Sequence, residues 1–349
     1  MIERLARKLG HLQYNHPYKV LFTLLLFAAI TLLGLADLRI IASTEAILPQ
    51  TTPEVQDLDT LRNEFYGDTV SIVIQTQDAT TRTFLNQIDA TTQRLKLIEN
   101  VGGVQSPTTT LREQYGTIPT DRNTLRNAAY GPTMSPSKDT ALILLQTDTQ
   151  ASTPETEALL TTIRGVLRGQ GLETQSQITG YNVIDYEMFG VILTDFTKIT
   201  GFAFTAVLTT LYLYFRDVKK IFLTVTPVMY ALLVMVGLGT LLGAQLNIIS
   251  MVSAAMVMGL GIDFGIHIVK TMYIENLTEA HLKEKHAELS KGLLGGALTT
   301  STGFLALLAA QLTGMHSLGI YLATGIIAAY IAATALLPTL IVLIQRIPQ

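Results

Sequence analysis

The apolar run that begins at Ile248 closes on GLGIDFGIHIVK, residues 259–270. From Ile248 to Ile262 it carries no charged residue. It is long enough for a helix that crosses hydrocarbon, which needs about 20 mostly apolar residues. Asp263 then stands about two-thirds of the way along it. A carboxylate at such depth costs roughly 2.5–3.5 kcal/mol on insertion scales. Either the run is no span, or Asp263 has a use there.

Composition favours the span. Of 349 residues, 48% are hydrophobic and only 15% are charged, where an ordinary soluble domain carries about a quarter charged. Six stretches are long and apolar enough to cross a membrane: Tyr18 to Ala36, Val191 to Phe215, Ile221 to Leu242, Ile248 to Val269, Leu293 to Leu312 and Leu318 to Ile344. Basic residues give their direction. Arg4, Arg7, Lys8 and Lys19 lie before or at the start of the first stretch, and Arg216, Lys219 and Lys220 fill the link after the second. Lys270, Lys283, Lys285 and Lys291 flank the link after the fourth, and Arg346 follows the sixth. The alternate links, GAQLN (243–247) and TGMHS (313–317), have no Lys or Arg. Alternate threading puts every basic link on one side, so both termini are expected in the cytoplasm of a plasma or inner membrane. The first apolar stretch is expected to stay as a span, because its basic lead is long and no small-residue cleavage site follows.

Residues 37–190 remain as one large segment on the opposite, extracytoplasmic side, between spans one and two. DTVSIVIQTQ (68–77) alternates in the manner of a strand. Residues 81–100 place Phe84, Leu85, Ile88, Leu95 and Ile98 at helical spacing, and a short strand is expected over 101–105. The order repeats with a strand over 139–148, a helix over 154–169 and a closing strand over 176–184. Two βαβ units predict a ferredoxin-like α/β domain. Residues 106–138, with Pro107, Pro119, Gly131, Pro132 and Pro136, read as an irregular connection. Thr44 to Thr69 reads as a polar linker from the first span. The expected organisation is therefore 1–36 (cytoplasmic start and first span), 37–190 (exported domain) and 191–349 (five further spans).

Within the spans Asp263 is the only acid far from an end; Asp37, Asp195 and Asp217 lie near span ends. Intramembrane acids are rare and mark ion or substrate pathways, although a carboxyl held by hydrogen bonds inside a bundle would serve packing alone. Gly259, Gly261 and Gly265 permit close helix approach or local flexibility, or reflect the ordinary abundance of glycine in membrane helices. His267, four residues on, shares the face of Asp263. It is placed to relay protons, or simply to sit at the cytoplasmic interface. Thr299, Thr300, Ser301 and Thr302 form a run of hydroxyls in the fifth span. They can bond back to helix carbonyls, but a run of four covers every face, so at least one should point inward.

Other function classes find little support. The net charge of −3 gives no basic footprint for nucleic acid. The absence of cysteine excludes disulfides, thiolate metal sites and cysteine nucleophiles. No phosphate-binding loop, paired-histidine zinc helix or nucleophile elbow occurs, so neither an enzyme nor a bound cofactor or metal is expected.

One span, an exported α/β domain and five further spans resemble half of a resistance–nodulation–division (RND) transporter. More narrowly, the chain resembles the hydrophobe-exporter, MmpL-like and hopanoid-exporter branch. GLGIDFGIHIVKTMYIE (259–275) is similar to its fourth-span motif, a glycine-rich stretch around G-[IV]-D-[FY]. GGALTTSTGFLALL (295–308), GMHSLGIYLATGI (314–326) and LLPTLIVL (336–343) are similar to its last two spans, in order. The resemblance implies secondary export of hydrophobic or amphiphilic, lipid-like molecules by an ion gradient. It implies that Asp263 carries the coupling proton, with Thr300 and Ser301 assisting, and that the exported domain is a porter domain that captures substrate. The sequence also departs from that pattern. Only one half is present, which a homodimer would complete. Phe264 stands where some relatives have a tyrosine beside the acid, and apart from Lys19 and Lys198, each near the start of its span, no lysine or arginine lies within the six stretches to oppose it, which keeps sodium open as the coupling ion. Five spans with this motif also resemble sterol-sensing domains, so a lipid-sensing module is an alternative reading. An accessory subunit of protein export is another.

Overall fold

A computed structural model describes residues 2–38, 40–41, 47–49, 52–57, 60, 68–147, 154–274 and 277–346. Most of the linker expected over Thr44 to Thr69 lies outside them. The chain divides into two compact units: residues 1–41, 46–49 and 192–349 form one, and residues 42–45 and 50–191 the other.

The second unit is an α/β sandwich. Its elements are β2 (Asp68–Gln75), α3 (Arg82–Leu95), β3 (Val101–Gln105), α4 (Pro107–Tyr115), α5 (Arg122–Asn127), β4 (Thr140–Thr147), α6 (Pro154–Gly169) and β5 (Ser176–Gly180); β1 belongs to the other unit. The strands pair antiparallel in the order β3-β4-β2-β5, the split-βαβ topology. Alternation decides the register. Val70, Ile72 and Ile74 stand opposite Leu145, Ile143 and Ala141, and all six are buried. A one-residue slip would turn this whole set to the other face. Phe84, Leu85, Ile88 and Leu95 of α3, with Leu160, Ile163 and Leu167 of α6, complete the core.

Two expectations need correction here. The segment 106–138 is not wholly irregular. Pro107 opens α4 behind Ser106, whose Oγ accepts from Thr109 N–H in a capping box, and Asp121 caps α5. The closing strand stops at Gly180 rather than running to Ile184. Gly180 has φ 145°, and α7 begins at Tyr181 because Val183 and Tyr186 then reach the same core at helical spacing.

The membrane unit comprises α1 (Ile2–Asn15), α2 (Pro17–Leu32) with a 3₁₀ turn to Asp37, α7 (Tyr181–Phe215) from Ile192 onward, α8 (Val218–Leu241), α9 (Ser253–Met272), α10 (Glu279–Leu305) and α11 (Thr313–Ile331). A π-turn (Ala332–Leu336) joins α11 to α12 (Leu337–Arg346). A two-residue parallel pair links β1 (Ile40–Ile41) to β6 (Leu246–Asn247). Among the described residues, six helices are long and apolar enough to cross a membrane. The fifth begins at Glu279, not Leu293: Thr278 Oγ1 accepts from His281 N–H, and no Gly or Pro interrupts the stretch before Gly292.

Packing ranks the spans. In its most apolar window the last span is 72% buried and α7 not at all. The interior is α8, α9 and α11, with Tyr321 fully enclosed and its hydroxyl donating to Ala244 O (3.1 Å). Gly34 and Gly237 let the first span touch α8 backbone to backbone, since a Cβ at either would overlap a carbonyl of the other helix.

Candidate functional site

The face of α9 that carries Asp263 is decided by its neighbours. Val257, Met258, Gly261, Ile262, Gly265, Ile268 and Val269 are buried in the bundle. Val252, Met256, Leu260, Asp263, His267 and Lys270 are exposed on the remaining face. Asp263 and His267 form no side-chain hydrogen bond or ion pair among the described residues. The unit therefore presents a mid-span carboxylate outward on an otherwise mostly apolar surface. No hydrogen bond among the described residues neutralises it.

The other candidates separate. A Cβ at Gly261 would stand 3.1 Å from Ala329 Cβ, and one at Gly265 would stand 2.6 Å from Thr224 O. Both glycines serve close packing, against α11 and α8. A Cβ at Gly259 meets nothing within 4 Å, so that glycine belongs to the outward face. In α10, Ser301 is buried and directs Oγ to Ala323 O of α11 (3.4 Å), away from any ion path on α9. Thr299 bonds back to Gly295 O (2.9 Å). Thr300 is half-buried and makes no side-chain hydrogen bond among the described residues. The fold thus brings Asp263 and His267 to one surface, with no bond from either to Thr300 or Ser301. Phe264 turns inward instead, with its ring edge-to-face on Tyr330 at 6.3 Å.

Two features lay outside the sequence reading. The first is an apolar groove of about 170 Å³ between α7 and the start of α9, lined by Ile192, Asp195, Phe196, Ile199, Met251 and Ala255 among others. Asp195 has no partner among the described residues. Its place near a span end was legible, but the groove depends on α7 standing off from the bundle. The second is a polar cluster at the π-turn. Pro338 has no N–H for Thr334 O, the carbonyl four residues back. That carbonyl accepts from His286 Nε2 (2.8 Å) and from Gln13 Nε2 (2.8 Å). The proline is the sequence signal for an orphan carbonyl, but nothing local names its donors.

The comparisons with known proteins agree with this architecture. The profile of the MMPL family matches residues 46–348. Across 99% of its length the chain is 24% identical, over 379 aligned positions, to a membrane protein of Methanocaldococcus jannaschii designated MJ1562, of which 95% is covered. It is also 27% identical over 188 residues to the hopanoid transporter HpnN of Rhodopseudomonas palustris. That alignment takes in 50% of this chain and 21% of HpnN.

Proposed function

This chain belongs to the MMPL family, and on that premise we propose that it is a proton-driven exporter of hydrophobic or amphiphilic, lipid-like molecules that works as a homodimer. The observation that carries the reading is the Asp263 carboxylate on the outward face of α9, without a partner among the described residues. Such groups almost always face a bundle interior or a water-filled cavity, because the alternative costs roughly 2.5–3.5 kcal/mol. A second copy packed α9 to α9 covers the face and places two carboxylates beside one seam, as an isologous two-fold contact requires. Sodium would need several oxygen ligands. The residues beside Asp263 on this face are Leu260 and His267, so a proton is the better fit. Both termini lie in the cytoplasm in this reading, and the α/β unit is the extracytoplasmic porter domain.

The substrate class has support from the groove as well as from HpnN, whose name assigns it hopanoid transport. Apolar walls with one acidic residue, Asp195, among them suit an acyl or polycyclic body. Filling the groove with Ala255→Phe is therefore expected to cut amphiphile efflux from proteoliposomes at least tenfold, with the pH-driven proton response of Asp263 retained. Unchanged efflux would remove the groove from the route.

The dimer is tested directly, because the chain has no cysteine and a single introduced thiol is unambiguous. Leu260→Cys, one turn from Asp263 on the exposed face, should give a disulfide-linked dimer in membranes on mild oxidation. Leu298→Cys, exposed on α10, should give little. Carbodiimide labelling across pH, with and without sodium, tests the ion: labelling at Asp263 that sodium leaves untouched is expected, and sodium-specific protection would transfer the coupling to sodium.

A further inference from the structure

We propose that α1, the amphipathic helix preceding the first span, is a docking element for anionic phospholipid headgroups and holds the π-turn of the last span in register. Three sets of side chains divide its circumference. Ala6, Gly10 and Gln13 face the protein, and Ala6 and Gln13 are buried. A Cβ at Gly10 would stand 3.3 Å from the backbone of Lys283 on α10. On one flank Leu5 and Leu12 are 71% and 43% exposed, one heptad apart. Beside them, at helical spacing, stand Lys8 and then Arg4, with Arg7 on the opposite flank next to Gly10; all three are exposed and without a hydrogen bond or ion pair among the described residues. Glu3 is the only acid in the helix.

A soluble contact would explain the basic residues but not leucines left bare beside them. An apolar flank bordered by cations is the pattern of a helix lying in a membrane interface, its leucines among the acyl chains and its charges at the headgroups. The position agrees, because only His16 separates α1 from the first span. Glu279 on α10 does not compete for these cations, since it is already bound by His11 of α1 (2.6 Å) and by Lys283.

The far side of the same helix makes this contact consequential. Gln13, wholly buried, donates from Nε2 to Thr334 O (2.8 Å) and Ala335 O (3.1 Å), inside the π-turn. His286, which bonds Ser290 Oγ through Nδ1 (2.8 Å), shares the first of these carbonyls. Arg346, at the end of α12, reaches back to Tyr14 O and stacks its guanidinium on the Tyr14 ring at 5.3 Å. Moving α1 off the surface therefore removes the Gln13 donor from Thr334 O and Ala335 O and the Tyr14 contact of Arg346, leaves Thr334 O with His286 alone, and loosens the last span. Only the assignment to the cytoplasmic leaflet rests on the proposed transport reading; binding and its effect on the π-turn do not.

The chain contains no tryptophan, so Leu5→Trp gives a single reporter in the intact protein, with Leu12→Trp as a second should the first fold poorly. In vesicles of phosphatidylcholine with 30% phosphatidylglycerol, bromine placed on the phosphatidylglycerol chains should quench the reporter more than bromine on phosphatidylcholine, scaled to mole fraction. Each of Arg4→Gln and Lys8→Gln should lower that preference by about fivefold or less, following about 1 kcal/mol per basic residue at an anionic surface, and Arg7→Gln, on the other flank, should lower it less. Amide hydrogen exchange over residues 332–346 should be slower in the anionic vesicles than in pure phosphatidylcholine, and the triple variant should abolish the difference. Equal quenching by the two lipids overturns the proposal, as does exchange in the π-turn that ignores lipid charge. Reporter emission that tracks protein density rather than lipid composition would assign the face to a second copy instead.

Discussion

Asp263→Asn is expected to reduce proton-driven efflux to the level of protein-free liposomes while leaving the fold as stable as before, or more so. The two effects point in opposite directions for one reason. The carboxylate is exposed on α9 and makes no bond within the chain among the described residues, so its removal breaks no contact of the unit. An exposed substitution of that kind changes stability by about 0.5 kcal/mol or less, and deleting an intramembrane charge relieves part of a cost of roughly 2.5–3.5 kcal/mol. Asparagine keeps the shape but cannot exchange a proton. Thermal unfolding in detergent and efflux from liposomes under an imposed pH gradient check the two halves together. Efflux that survives the substitution would deprive the exporter reading of its coupling group and favour a lipid-sensing module. A variant that also unfolds would show that Asp263 is a structural group after all.

The second large effect separates two glycines of the same motif. Gly265→Val is expected to destabilise the membrane unit by about 3 kcal/mol, at the upper end for overpacking a tight contact. Even its first added carbon would lie 2.6 Å from Thr224 O, a backbone atom that cannot swing aside. Gly259→Ala should cost nothing within the unit and may be compared directly, because a Cβ there meets nothing within 4 Å. The helix even gains about 1 kcal/mol of propensity from that change on soluble scales. Titration of helicity against denaturing detergent gives both values. If α9 pairs with its copy, Gly259→Ala should also lower the yield of the Leu260→Cys crosslink, an effect absent from the stability measurement. Equal losses at the two positions would mean that both glycines pack inside one bundle, and that the outward face of α9 is misplaced.

These two predictions draw on different kinds of information. Hydropathy sums over neighbours in the chain, so the six apolar helices, including the one holding Asp263, were legible from residue order alone. So were the βαβ-βαβ sequence and the alternation over residues 68–77, because a period of two needs no knowledge of distant residues. Tertiary packing decided what lies across the chain. It set the strand order β3-β4-β2-β5 and turned Asp263 outward where either orientation was open. It also divided the three glycines into two that pack and one that does not. Ser301 was turned onto α11, and Gln13 and His286 were brought from distant helices to the carbonyl that Pro338 leaves free. The physical reason is common to all of these. A helix's own sequence determines that one of its faces must be covered, but which face is covered, and by what, is fixed by the shapes of helices far away along the chain.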